Sequence, residues 1–302
     1  METYRLYSKF IVIVIATLGL TFLGSFGSPG GQAAETQYEI EVKLLDEERT
    51  LRGKERVSFT NYLDRSVSQV VFSLRGNLLR ESNPYLSKVN LDSSYPDGFD
   101  PGWTKIRKVT GPDGEELNYA TESLPPFSQT YSLKDTILRI ELPNQLKPGE
   151  STSLVIDFST RVPRKKIGDE EYYRGVYTWR FGWYPTLTPA EWWTGYDREV
   201  YSEIKMPNAD YEVGLNLPEE FQVAGIRANE KERRPSSNRK LVEFELDNAR
   251  SFPLAASSNY RSYREEFKEY TIEVLHFPGY QEDARVLASY ANEILGYYAQ
   301  NF

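Results

Sequence analysis

Tyr38, Ile40, Val42 and Leu44 alternate with Glu39, Glu41 and Lys43. A period of two marks a strand with one buried and one wet face. Leu51, Val57 and Phe59 share one parity of the next segment and predict its neighbour. Residues 70–74 read as a short apolar strand. Further short strands are predicted at 136–142, 152–162, 201–206, 211–217, 221–226, 241–246 and 270–276. Val109-Thr110-Gly111-Pro112-Asp113-Gly114-Glu115-Glu116-Leu117 signals a hairpin, and Leu146-Lys147-Pro148-Gly149-Glu150 a strand–turn–strand unit. In both, Pro presets one turn torsion and Gly supplies a positive one. Residues 83–102 are rich in Pro, Gly, Asp and Ser and predict a long loop. Residues 230–240, charged and carrying Pro235-Ser236-Ser237-Asn238, predict a solvated hairpin tip. Short strands separated by turns predict an all-β fold, an antiparallel β-sandwich.

After Pro278-Gly279 the period changes. Ala284, Leu287, Ala288, Ala291, Leu295 and Tyr298 recur at helical spacing, and Glu282 and Asp283 place negative charge where the dipole of a helix start favours it. One C-terminal helix is predicted, still running near Phe302. Alone it would expose Leu287, Ala291, Leu295 and Tyr298, a stripe that needs a partner.

At the other end, Arg5 and Lys9 precede an apolar run from Phe10 to Leu23, and small residues lead to Gly31-Gln32-Ala33-Ala34. A basic start, an apolar stretch and a small-residue exit predict an export signal over 1–34, cleaved after Ala33 or Ala34. An uncleaved membrane anchor is the rival, because the run reaches roughly 17 residues if extended to Phe26, the lower limit for crossing a bilayer. Gly24 and Ser25 interrupt its end, which favours the cleaved signal.

Composition narrows the chemistry. The 302 residues carry a net charge of −8, so a nucleic-acid partner is not expected. There is no cysteine and one histidine, His276. A catalytic zinc takes three protein ligands, normally two or more from His or Cys, and this chain cannot supply them. No catalytic, cofactor-binding or metal-binding residue is therefore assigned. His276, between Leu275 and Phe277 in an apolar strand, reads as structural. Glu170, Glu171, Glu191 and Asp197 are the carboxylates that glycosidase chemistry could draw on, although adjacent acidic residues usually lie on solvated turns. Between 172 and 196 lie ten aromatics, among them Trp179, Trp183, Trp192 and Trp193. They read as sandwich core plus an interface; the alternative is an exposed platform of an exported module that binds carbohydrate or peptide. A membrane-anchored scaffold is a third reading.

Several segments carry a resemblance. Leu138-Arg139-Ile140-Glu141-Leu142, Leu146-Lys147-Pro148-Gly149-Glu150 and Leu154-Val155-Ile156-Asp157-Phe158 come first. Trp183-Tyr184-Pro185-Thr186-Leu187 follows, then a hairpin of Tyr211-Glu212-Val213-Gly214-Leu215-Asn216-Leu217-Pro218 with Phe221-Gln222-Val223-Ala224-Gly225. Asn248-Ala249-Arg250-Ser251-Phe252-Pro253-Leu254-Ala255-Ala256-Ser257 closes the series. In order and spacing, from Tyr38 to Phe302, these resemble the N-terminal part of the aminopeptidase N family. The resemblance implies a saddle-like sandwich over 35–265 and, over 266–302, the start of a thermolysin-like catalytic domain whose first helix is 284–302. It also implies zinc, peptide substrates and removal of N-terminal amino acids for the full-length family. The family's H-E-x-x-H and G-x-M-E-N motifs do not occur here, so the chain is expected to be inactive alone, with the missing catalytic domain as its partner. The family's N-terminal domain also lends an acid or amide to the substrate-amine pocket. The matching segment, Gly175-Val176-Tyr177-Thr178-Trp179-Arg180, offers neither Glu nor Gln, and no residue is carried over. An exported protein, extracellular or held at a membrane through its N-terminal segment, completes the expectation.

Overall fold

The computed structural model describes residues 13–17, 36–81, 91–124, 133–166, 170–194, 207–225, 231–236, 238–267 and 270–301. In chain order the elements are β1 (Ile13–Thr17), β2 (Thr36–Leu45), β3 (Thr50–Thr60), β4 (Val67–Ser73), the one-turn α1 (Leu91–Ser94), β5 (Trp103–Thr110), β6 (Tyr119–Leu124), β7 (Leu133–Leu146) and β8 (Ser151–Arg161). Then come β9 (Glu170–Tyr173), β10 (Val176–Trp179), β11 (Thr186–Leu187), β12 (Ala209–Pro218), β13 (Gln222–Gly225), β14 (Lys231–Ser236), β15 (Arg239–Ala249), β16 (Leu254–Ser257), β17 (Arg261–Phe267), β18 (Tyr270–His276) and α2 (Gln281–Asn301). The all-β class and the C-terminal helix agree with the sequence reading.

The backbone of the fold is a seven-stranded sheet ordered β14-β15-β12-β2-β3-β8-β5. Its alternation is clean. In β2, the even residues Tyr38, Ile40, Val42 and Leu44 are buried and Glu39, Glu41 and Lys43 exposed. The buried face shares one continuous core with two four-stranded sheets, β11-β4-β7-β6 and β13-β16-β10-β9. One pairing departs from the antiparallel expectation: β12 lies parallel to β2, Val213 beside Ile40. Parallel neighbours need a long crossover, and the 163 residues between β2 and β12 (46–208) supply it.

The turns form, but they do not join hairpin partners. At the first, the Gly111 amide donates to the Glu115 carbonyl (2.9 Å) and Gly114 takes a positive φ of 85°. Only a bridge between Thr110 and Glu116 survives, because β5 then pairs with β8 and β6 with β7 in another sheet. The Leu146–Glu150 turn likewise joins β7 and β8, which sit in opposite layers. Asn61 anchors this corner: its Nδ2 donates to the Leu146 and Arg65 carbonyls (both 2.9 Å), and its backbone exchanges bonds with Gly149 and Glu150. The expected hairpin of 211–218 with 221–225 is corrected in the same way. β12 pairs with β2 and β15, and β13 with β16. The 230–240 segment does form a hairpin: the edge strand Lys231–Ser236 pairs antiparallel with β15, Ser236 opposite Arg239, so more of it is strand than expected, and Arg233 is held to Glu243 (Nε–Oε2 2.7 Å). Of the predicted 83–102 loop, 83–90 lie outside the described residues and Leu91–Ser94 is helical. The predicted strand at 201–206 also lies outside them.

Asp100 ties together the ends of β3, β8 and β5 at one end of the large sheet. Arg49 (Nη2–Oδ2 2.7 Å), Arg161 (Nη2–Oδ1 2.6 Å) and the Arg164 amide (2.5 Å) all reach its carboxylate. Burial pushes this carboxyl up, but the Arg164 amide and the two guanidiniums outweigh that and hold it below the usual range. Beside it, the Tyr177 hydroxyl donates to Asp46 Oδ1 (2.6 Å).

β17 and β18 form a hairpin, with β1 on the free edge of β18. The rest of the expected export segment lies outside the described residues. The expected boundary between 265 and 266 falls within β17. Ala284 and Ala288 of α2 are buried against Ile272 and Val274, with Ala291 and Leu295 partly covered. The hairpin thus covers part of the helical stripe. Val286, Tyr290, Ile294, Tyr297 and Tyr298 stand exposed around it.

Candidate functional site

His276 ends β18 and is buried, its Nδ1 2.8 Å from the Phe277 carbonyl. A carbonyl only accepts, so Nδ1 is the donor in this bond. The small hollow beside it is lined by Arg261, Ser262, Gln281 and Glu282 and adds no second nitrogen or sulfur donor of the kind a catalytic zinc needs. Among the described residues, no group of three or more His, Cys, Asp and Glu could hold a metal ion.

The carboxylates proposed for glycosidase work lie on unlike elements. Glu170 and Glu171 are on the edge strand β9, with Glu171 buried opposite Thr178. Glu191 is exposed in a 3-10 turn at Ala190–Thr194. Asp197 lies outside the described residues, as does Tyr196 of the aromatic cluster.

Six of the described aromatics form core, while Tyr172, Tyr173 and Phe181 are half-buried. Tyr177, Trp179, Trp183, Tyr184, Trp192 and Trp193 are all at most 4% exposed. The Trp183 indole donates to the Phe252 carbonyl (2.8 Å), and that of Trp193 to Thr188 (3.2 Å). Tyr177 stacks on Trp179 with ring centroids 5.1 Å apart. Rings buried this way have no face left for a sugar, so the binding-module alternative is not favoured. The segment 175–180 is turn and strand β10; Tyr177 and Trp179 point into the core, and Val176 is buried on the opposite face with Tyr260 and Leu275.

The sequence reading missed a groove of about 620 Å³ on the wet face of the large sheet. Glu245, Glu212 and Glu39 are directly opposite one another across β15, β12 and β2. Glu243 and Glu41 flank Gly214 in the next row. Gly214 has no side chain, so the floor dips there. Lys54 reaches Glu41 (3.3 Å) and Arg56 reaches Glu39 (3.8 Å) from β3. Like charges side by side cost stability, and Lys54, Arg56 and Arg233 offset part of that cost. Its sequence signal is Glu at alternate positions in three strands, meaningful only once those strands are known to be neighbours.

No family model matches the chain, and no curated protein matches it. Among solved structures it is similar to the M1 zinc metallopeptidase of Deinococcus radiodurans, at 13% identity and a TM-score of 0.47. That alignment covers 80% of this chain and 46% of that one. A mutant of that enzyme bound to a Tyr-Ser-Ala substrate gives the same figures. A two-domain M1 zinc metallopeptidase mutant bound to L-tryptophan is similar at 12% identity and a TM-score of 0.46, over 78% of this chain and 45% of that one. The chain spans less than half the length of these structures. Among the described residues, no helix is long and apolar enough to cross a membrane.

Proposed function

We propose that this chain is the non-catalytic N-terminal part of an exported zinc aminopeptidase of the aminopeptidase N family. A sandwich over 35–265 leads into the start of the catalytic unit over 266–302. The observation that carries this reading is the ordered series of resembling segments from Tyr38 to Phe302. It is supported by where they fall: 138–142 lies within β7, 154–158 within β8, and 211–218 within β12. All belong to one all-β body that is followed by a helix.

Zinc chemistry does not fit the residues present. One imidazole and no thiol cannot make the three-ligand site that activates water. Metal, peptide binding and bond cleavage belong, in this reading, to the catalytic part of the full-length protein. This chain contributes a scaffold, and the exposed side of α2 with its Tyr290, Ile294 and Tyr297 is where the partner domain packs. Residues 1–34 direct export.

Two measurements test the proposal. Purified chain given zinc should release no amino acids from short peptides, with or without a chelator; chelator-sensitive release refutes it. Sequencing past the Phe302 codon should find an encoded H-E-x-x-H, and unrelated sequence there removes the family reading. Fractionation of cells expressing the chain with and without residues 1–34 checks the export step.

A further inference from the structure

Glu55 lies on the buried parity of β3, with Ile40 of β2 and Ile156 of β8 as its direct neighbours. It is 0% exposed, and among the described residues neither carboxyl oxygen has a hydrogen-bond partner. A carboxylate there would lose its hydration and gain nothing in exchange.

Three titratable groups feel its charge: Tyr38 on β2, Tyr211 on β12, and Tyr184 just before β11. They form one cluster. Tyr38 and Tyr211 stack at 5.0 Å, and Tyr184 meets Tyr38 edge-on at 5.5 Å. The Tyr184 hydroxyl donates to that of Tyr211 (3.1 Å), and the Leu187 amide of β11 donates to Tyr38 (2.9 Å). Tyr38 and Tyr211 belong to the large sheet, whereas Leu187 belongs to the sheet facing it. Glu55 therefore sits where the two layers of the sandwich close on each other.

We propose that Glu55 is a proton-operated lock on this sandwich: as a neutral acid it lets the layers close, and on losing its proton it forces them apart to admit water. Burial raises this carboxyl well above the usual glutamate value. Burial also raises the three tyrosines, so they stay neutral while Glu55 titrates. The sign follows from proton counting. Above the ordinary glutamate range the folded chain holds a proton that the unfolded chain has lost. The contribution of Glu55 to stability therefore falls as pH rises, until Glu55 ionises within the fold. Through this one group, acid tightens the domain and alkali loosens it.

Urea unfolding of the full chain and of Glu55→Gln, from about pH 5 to about pH 9, reads this directly. Groups common to both proteins cancel in the difference. Relative to the variant, the unfolding constant of the parent should rise by up to tenfold per pH unit, about 1.4 kcal/mol. Parallel pH profiles overturn the lock. If Glu55→Gln does not fold, infrared spectroscopy of the parent chain decides. A protonated-carboxyl band at neutral pH that disappears on unfolding supports the lock, and a folded protein without that band refutes it.

Discussion

Replacing Asp100 by Asn keeps its shape and removes its charge, which isolates what the Arg49–Asp100–Arg161 cluster contributes. The carboxylate accepts from two guanidiniums and one amide at 2.5–2.7 Å. Hydrogen bonds to charged groups contribute about 1.5–3 kcal/mol each, and breaking a buried ion pair costs about 3–5 kcal/mol. Here 15–22% of each side chain remains in contact with water, so screening trims the figure. The variant also leaves two positive guanidiniums side by side. A loss of about 2–4 kcal/mol at neutral pH is expected from the urea midpoint at constant m-value. The pH dependence is the sharper readout. Because the folded state holds this carboxyl below its usual range, its contribution is complete above that range and disappears as pH falls through the folded value. Parent and variant should therefore converge in acid. A gap under about 0.5 kcal/mol at neutral pH, or one that persists unchanged into acid, refutes the ion-cluster account.

Two further substitutions probe the packing. A Cβ on Gly53 would lie 1.9 Å from the Glu41 carbonyl oxygen, and β3 is held by β2 on one side and β8 on the other. Gly53→Ala should thus cost about 3 kcal/mol or more in chemical denaturation, the upper end of the overpacking range, and a variant as stable as the parent disproves the close approach. Trp192→Ala should cost about 3–5 kcal/mol of stability and leave glycan-array binding unchanged at background. Array signal that the parent shows and a stably folded variant lacks would restore the sugar-platform reading.

By itself the sequence determined the local order of this protein and the limits of its chemistry. Alternation at 38–44 marks which side of β2 is wet, because successive strand residues point to opposite faces whatever lies alongside. The switch to helical spacing after Gly279 announces α2 for the same geometric reason. Donor counting bounds metal chemistry, since one imidazole remains one in any fold. Tertiary structure decided everything that depends on which distant segments meet. The turns at 109–117 and 146–150 follow from Pro and Gly, yet their flanking strands part into different sheets. A turn sets a reversal, whereas partners are chosen by the burial of whole faces. That choice places β12 parallel to β2, lines up Glu39, Glu212 and Glu245, and folds the tryptophans inward. Glu55 shows the division in one residue. Its parity with Val57 and Phe59 points it inward, but only the packed layers reveal tyrosines around it and, among the described residues, no hydrogen-bond partner for its carboxyl.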